Sequence, residues 1–257
     1  MEVLGPDRES IGREKAGIFR AGKPAVLSDP APPASVLAHA QAIGARLLRL
    51  GQEFGYEAER DQWLFWGPAG RKSGMDYPAL PGRVQLQNAS AALAALDALQ
   101  QILPVSMQDL RRGLTELGLP GRFQVLPGRP VVVLDVGHNP HAAEVLADNL
   151  SGMGSYTSTW AVFGMLCDKD IDGVVRLLTK QVDHWLACTL PPPRGAKAAQ
   201  LAQALRRAGA FAVREFENPA LAYAAACSEA ADNDRIVVFG SFHTVADVLA
   251  ARESPKA

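Results

Sequence analysis

Residues 131–240 contain five short apolar runs separated by stretches with helical periodicity. The runs are VVVLDV (131–136), TWAVFGM (159–165), HWLACTL (184–190), FAVREF (211–216) and RIVVFG (235–240). Helical patterns begin near His141, Ile171, Lys197, Pro219 and Thr244. Parallel strands need crossover connections, so this alternation predicts an α/β fold with a mostly parallel sheet wrapped by helices. Ligands of such sheets bind beyond the carboxyl ends of the strands.

The first apolar run breaks into polar and flexible residues where the strand should end. Asp135, Gly137, His138 and Asn139 stand between that strand and the following helix. A helix N-terminus favours anions, so a carboxylate and an imidazole at this place are candidates for ligand binding. Capping by Asp135 or Asn139, with His138 as a surface histidine, explains the same pattern equally well.

The first half of the chain is less regular. KPAVLSD predicts a short strand, ASVLAHAQAIGARLLRL a helix, and residues 52–66 strands or a hairpin. An alanine-rich helix is predicted at residues 87–103, with Asn88 or Ser90 as its N-cap. Pro-Gly pairs on both sides of Arg122 look like a hinge. We therefore predict two domains, residues 1–123 and 124–257.

Composition restricts the classes of function. The chain has 26 lysines and arginines and 27 aspartates and glutamates, and a formal net charge of -1. The charges are interspersed, so no nucleic-acid or membrane partner is predicted. No apolar segment approaches the length of about 18 residues needed to span a membrane, and the N-terminus does not read as a leader, so a cytoplasmic protein is expected. Small-molecule chemistry is favoured.

The cysteines and one glycine-rich stretch exclude two kinds of site. Cys167, Cys188 and Cys227 form no C-x-x-C pair, which argues against a disulfide framework or a zinc site. Residues 17–24, GIFRAGKP, match a phosphate-binding loop except at the last position. Pro24 lacks a hydroxyl for Mg²⁺ and a backbone N–H, and it precedes a strand-like AVL. We do not expect this stretch to bind phosphate.

Six segments occur in order along essentially the whole chain: LGPDRESIGREKAGIFRAGKPAV, QNASAALAALDAL, LPGRFQ, LDVGHNPHAA, FGMLCDKD and FGSFHTV. Together they resemble the folylpolyglutamate synthase/dihydrofolate synthase family of the Mur ligase superfamily. The resemblance implies part of a central ATPase domain followed by a Rossmann-like C-terminal domain, with the active site in the cleft between them. It implies a cytoplasmic monomer that uses ATP and Mg²⁺ to join glutamate to dihydropteroate or to folates through an acyl phosphate.

The resemblance also implies roles for individual residues. Lys15 matches a lysine that family members convert to a carbamate near Mg²⁺. His138 is expected near the reacting phosphate or the incoming glutamate, and we take both as candidate catalytic residues. Asn88, Arg122 and Asp135 match contacts to ATP, and Arg122 matches a phosphate contact.

Two further segments each have a functional and a structural explanation. Ser241 and His243 are candidates for holding glutamate, although a serine cap and a packed histidine explain them equally well. Asp168, Lys169 and Asp170 form a loop that either lines the cleft or is a solvated turn.

Parts of the family pattern are missing from this sequence. The family's phosphate loop, its pterin-binding segments and a magnesium-binding glutamate and histidine all precede the equivalent of Glu9. We therefore expect this chain to be a C-terminal portion that is inactive without a missing N-terminal segment. We also expect residues 1–123 to expose strand edges and apolar faces. The alternative is a non-catalytic relict that binds a nucleotide or a protein.

Overall fold

The computed structural model describes residues 7–80, 82 and 84–253. The chain divides after Leu117 into two compact units, Met1–Leu117 and Gly118–Ala257. This division falls a few residues before the predicted boundary at residue 123 and assigns Arg122 to the second unit. No helix in the described residues is long and apolar enough to cross a membrane.

The first unit combines two small sheets with helices. Its elements are α1 (Arg8–Ala16), β1 (Pro24–Leu27), α2 (Ala34–Ile43), β2 (Arg46–Arg49), β3 (Gly55–Ala58), β4 (Trp63–Gly67), β5 (Gly70–Met75), α3 (Gln85–Ala98) and α4 (Met107–Thr115). β1 and β2 pair in parallel, whereas β3, β4 and β5 form an antiparallel meander. Apolar side chains of the strands and of α3 share one core, which includes Phe54, Trp63, Phe65, Met75 and Leu93.

The structure corrects the long helix predicted from ASVLAHAQAIGARLLRL. The helix ends at Ile43 because Gly44 adopts a left-handed backbone, with φ +67°, as its C-cap. Glycine occupies that region without steric cost, so the chain can turn there. Arg46–Arg49 then pairs in parallel with β1 as strand β2. The strand predicted from KPAVLSD is confirmed as β1.

The alanine-rich helix is confirmed, but its predicted limits and cap are wrong. It runs from Gln85 to Ala98, and Val84 is its N-cap residue. Asn88 and Ser90 therefore lie inside the helix. Ser90 is buried and donates a hydrogen bond of 2.6 Å to the carbonyl oxygen of Leu86, a local bond that serines commonly form within helices.

The prediction that the first half exposes strand edges is confirmed for the described residues, whereas the exposed apolar faces stay a prediction. There, β1 and β2 each pair with one strand, so both have an open edge. Ile18 and Ile102 are 76% and 84% exposed.

The second unit is a three-layer α/β/α structure. Its elements are β6 (Gln124–Leu126), β7 (Val131–Asp135), α5 (Pro140–Gly152), β8 (Thr159–Phe163), α6 (Ile171–Leu178), β9 (His184–Cys188), α7 (Ala198–Arg207), β10 (Ala212–Phe216), α8 (Pro219–Glu229), β11 (Arg235–Phe239) and α9 (Phe242–Glu253). Within residues 118–253, six strands form one sheet in the order β10-β9-β8-β11-β7-β6. β6 is antiparallel to β7, and the other pairs are parallel. All five strands predicted in this half are confirmed, as is the mostly parallel sheet.

The strand order places a crevice at one edge of this sheet. Helices α5, α6 and α7 pack on one face, whereas α8 and α9 pack on the other. β11 lies between β7 and β8, so neighbouring strands are followed by helices on opposite faces. The loops at their carboxyl ends therefore separate, which is where open α/β sheets bind ligands. The residues that follow β7, β8 and β11 meet at this place.

Candidate functional site

Asp135 ends β7 at the crevice. Its Oδ1 accepts a hydrogen bond of 2.7 Å from the N–H of Gly137, and its Oδ2 accepts one of 3.0 Å from the N–H of Phe123. Burial raises the pKa of this carboxyl, while the two N–H donors and the charges of Arg122 and His138 act in the opposite direction. Each carboxylate oxygen retains a lone pair that a ligand could use.

The loop before β6 fixes the backbone on both sides of Arg122. The carbonyl oxygen of Gly121 accepts from the N–H of Val136 at 2.8 Å, and the N–H of Gly121 donates to Oε1 of Gln124 at 3.0 Å. Gly121 has φ +71°, and a Cβ atom there would lie 2.7 Å from Cγ1 of Val136. Phe123, with φ +43°, is buried. The loop thus requires glycine at position 121 and leaves the Arg122 side chain exposed.

The Arg122 side chain carries a charge that can attract an anion. Its guanidinium carbon lies 5.8 Å from the centroid of the Phe242 ring, and its charge partly opposes the rise that burial causes in the pKa of Asp135. Within the described part of the chain Arg122 forms no salt bridge. A guanidinium without a carboxylate partner keeps the paired N–H donors that match phosphate and carboxylate oxygens.

His138 presents a ring nitrogen at the same crevice. Its Nδ1 lies 2.9 Å from the carbonyl oxygen of Val136. A carbonyl oxygen can only accept, so Nδ1 carries the hydrogen and the neutral ring offers Nε2 as an acceptor. The cap of α5 is Asn139, which accepts from the N–H of Ala142 at 2.9 Å. The capping explanation therefore applies to Asn139 and not to Asp135.

Ser241 and His243 follow β11. The buried Ser241 hydroxyl oxygen accepts from the N–H of His243 at 3.1 Å, so it caps the first turn of α9. His243 is exposed and lines an open groove of about 480 Å³ together with Glu217 and Asp247. A dicarboxylate beside His243 in this groove would face two further carboxylates.

The loop after β8, Asp168-Lys169-Asp170, makes contacts that stabilise the fold. Asp168 forms an ion pair of 2.6 Å with Arg194, which lowers the pKa of Asp168. Asp170 is the N-cap of α6 and accepts from the N–H of Gly173 at 2.8 Å. Both carboxylates therefore have structural partners.

The first unit contains the two other predicted site residues. Lys15 is exposed in the last turn of α1, and Asn88 is exposed in α3, where its Nδ2 donates to Oε1 of Gln85 at 3.3 Å. No group of three or more His, Cys, Asp or Glu side chains among the described residues could hold a metal ion. Residues 17–24 lead into strand β1 at Pro24, so no helix N-terminus follows the phosphate-loop-like stretch.

Comparison with known proteins decides the family. The model of the Mur ligase, glutamate ligase domain matches residues 121–242. The dihydrofolate synthase/folylpolyglutamate synthase of Escherichia coli K12 is 43% identical over 246 residues, or 96% of this chain. The solved E. coli FolC in complex with DHPP and ADP matches 98% of the chain with 42% identity and a TM-score of 0.87.

The chain belongs to the dihydrofolate synthase/folylpolyglutamate synthase family. It spans little more than half of these relatives, 56% of the E. coli protein and 59% of the FolC structure. A bifunctional folylpolyglutamate synthase/dihydrofolate synthase with Mn, AMPPNP and L-glutamate bound is 41% identical over 99% of this chain, which covers 59% of that structure, with a TM-score of 0.87.

Three residues around Arg122 in this family member were not predicted from the sequence. Gln124 and Phe123 hold the arginine loop, and Phe242 contacts its guanidinium. The adjacency of the first two to Arg122 in LPGRFQ was a usable signal. Phe242 lies 120 positions from Arg122 along the chain, so its role depends on the sheet order and no local pattern indicates it.

Proposed function

We propose that this chain is the C-terminal part of a cytoplasmic, monomeric ligase that uses ATP to join glutamate to dihydropteroate, to tetrahydrofolate-(poly)glutamate, or to both. The observation that carries the proposal is the grouping of Asp135, Arg122 and His138 at the carboxyl edge of the sheet, in a chain of this family. A carboxylate is a poor electrophile. Phosphorylation gives it a leaving group, and the amine of glutamate then displaces phosphate from the acyl phosphate.

Each second-unit residue has a role that its contacts support. We assign Arg122 to the nucleotide phosphates, because its guanidinium has no salt bridge among the described residues. Asp135 contacts the nucleotide through the lone pairs that Gly137 and Phe123 leave unused. His138 directs Nε2 to the amine of glutamate, from which the neutral ring can accept a hydrogen, or, as the imidazolium, donates from Nε2 to the reacting phosphate.

Asn88, His243 and Ser241 are the remaining candidate residues. Asn88 is proposed as a nucleotide contact from the first unit on the family resemblance. His243 is exposed and remains a proposed glutamate contact. The Ser241 hydroxyl oxygen accepts a hydrogen bond from a helix N–H. This bond uses a lone pair of the oxygen and leaves the hydroxyl hydrogen to be donated to a carboxylate.

Mg²⁺ is proposed to bind near Lys15 in its carbamate form. Among the described residues, no three or more His, Cys, Asp or Glu side chains are grouped so as to hold a metal ion. Nucleotide phosphates, water or protein groups outside the described residues would therefore complete the coordination. When bound, the ion offsets the negative charge of the phosphates.

A chimera tests the proposal. The N-terminal part of the E. coli relative that this chain does not match is joined to the chain, and ADP release is measured. We expect release that needs both glutamate and a pterin substrate. Arg122→Ala should reduce kcat by about a hundredfold or more, as loss of a charge-stabilising donor does. ADP release that needs neither substrate would contradict the proposal.

Lysine variants of the same chimera test the carbamate. We expect Lys15→Ala to abolish turnover, whereas Lys180→Ala, at an exposed lysine of the second unit, should leave it unchanged. Near-normal rates for Lys15→Ala would remove the proposed role. MgATP binding without turnover, in both chain and chimera, would favour a non-catalytic nucleotide-binding module instead.

A further inference from the structure

Phe242 is an exposed aromatic residue on a rigid part of the second unit. It is the first residue of α9, and 58% of it is exposed. The backbone beneath it is fixed on both sides. Gly240 adopts φ +106° against the backbone of Gly164, and the Ser241 hydroxyl caps the N–H of His243. The ring therefore projects from a defined place at the carboxyl end of β11.

Arg122 approaches this ring from a loop that is equally fixed. Hydrogen bonds to β7 and its following residue hold Gly121 and Phe123, the two neighbours of Arg122. The arginine side chain itself has several rotatable bonds, and no salt bridge restrains it within residues 118–253. Its guanidinium carbon lies 5.8 Å from the centroid of the Phe242 ring, within the range of a cation–π contact.

We propose that Phe242 is a positioning residue that holds the Arg122 guanidinium ready for an anionic ligand. A carboxylate partner would occupy the N–H donors and neutralise the charge. An aromatic face attracts the cation without accepting hydrogen bonds in the guanidinium plane, so the N–H donors stay available. The inference rests on the proposed function in one respect, which is that the anion is a nucleotide phosphate.

The first experiment tests the contact without any ligand. In the full chain, the NMR signal of the Arg122 side-chain Nε–H should show the ring-current shift of a nearby aromatic face. The shift should disappear in Phe242→Leu and persist in Phe242→Tyr. Phe211→Leu removes another exposed phenylalanine, 102% exposed immediately before β10, and should change nothing. An Arg122 signal that is the same in wild type and Phe242→Leu would overturn the proposal.

The second experiment tests the consequence for binding, with MgADP as the probe in calorimetry. Exposed cation–π contacts predict that Phe242→Leu weakens MgADP binding about two- to fivefold. Phe242→Tyr should restore the affinity, and Phe211→Leu should equal wild type. In an Arg122→Ala background, Phe242→Leu should have no further effect.

The outcomes separate this inference from the proposed function. If Phe242→Leu weakens binding equally with and without Arg122, the ring contacts the nucleotide itself and the positioning role is wrong. If Phe242→Leu binds as wild type does while Arg122→Ala binds weakly, the role is also wrong. If the wild-type chain binds no MgADP, the proposed function loses its support, and the ring-current shift still decides whether Phe242 holds the guanidinium.

Discussion

Gly121 supports the charged side chain that follows it. Its left-handed backbone at φ +71° and the closeness of Val136 both disfavour a Cβ atom at this position. We expect Gly121→Ala to destabilise the chain and to weaken MgADP binding, because the loop must move and take Arg122 with it. Unfolding in urea and calorimetry measure the two effects.

Gly209→Ala is the matched control for this prediction. Gly209 also has a positive φ, +89°, but nothing lies within 4 Å of the position of its Cβ. Its substitution should cost about 1–2 kcal/mol through backbone strain. Gly121→Ala should cost about 1–3 kcal/mol more through overpacking. Equal losses of stability in the two variants would show that the Val136 side chain moves away from the added Cβ at little energetic cost.

The grouping of Asp135 with His138 could be predicted from sequence because both belong to one motif at a strand end. Their detailed roles could not. The two oxygens of Asp135 bind the N–H groups of Gly137 and Phe123, and the second of these precedes Asp135 by 12 positions. The Asp135 side chain could have capped a helix or hydrogen-bonded to a loop distant in sequence. Tertiary structure decides between the two, and a local sequence pattern does not indicate it.

Helices α5 and α8 begin in the same way and allow a comparison at the scale of elements. Asn139 caps α5 and Asn218 caps α8, each accepting a helix N–H at 2.9 Å with proline as the next residue. Either substitution by alanine should cost about 1 kcal/mol of stability. Only Asn139→Ala should also weaken MgADP binding, because the capped turn holds the segment that contains Asp135 and His138, directly before α5.

Thermal unfolding and MgADP titration of the two variants check this expectation. If Asn218→Ala weakens nucleotide binding as much as Asn139→Ala does, the effect is a general loss of stability and not a local one.

Elements of the second unit were predictable because each apolar run is bounded by turn residues, and four of the five runs, those of β7, β8, β9 and β11, are largely buried on both faces. Elements of the first unit were harder to predict from the sequence. A glycine inside a helical pattern costs only about 1 kcal/mol, so Gly44 did not mark a helix end by itself. The parallel pairing of Arg46–Arg49 with Pro24–Leu27 decided the outcome. Such pairing joins segments far apart in sequence, where local propensity gives little guidance.

At the scale of the whole molecule, the two units have separate cores. The second unit buries two apolar clusters, one on each face of its sheet, whereas the first has one smaller cluster. We expect a fragment of residues 118–257 to fold alone and cooperatively. The full chain should then unfold in two steps, the more stable matching this fragment. A single transition in the full chain, with no folded fragment, would contradict this expectation.

The order of the strands in the second unit has a consequence for biosynthesis. β11 is the last described strand along the chain, yet it fills the centre of the sheet between β7 and β8. A ribosome releases the chain from its N-terminus, so the flanking strands emerge while the place between them is still vacant. The sheet can close only after residues 235–239 have left the exit tunnel. Asp135 and Arg122 therefore acquire their finished surroundings only after β11 has emerged, and premature termination before residue 235 would leave β7 and β8 each with an unpaired inner edge.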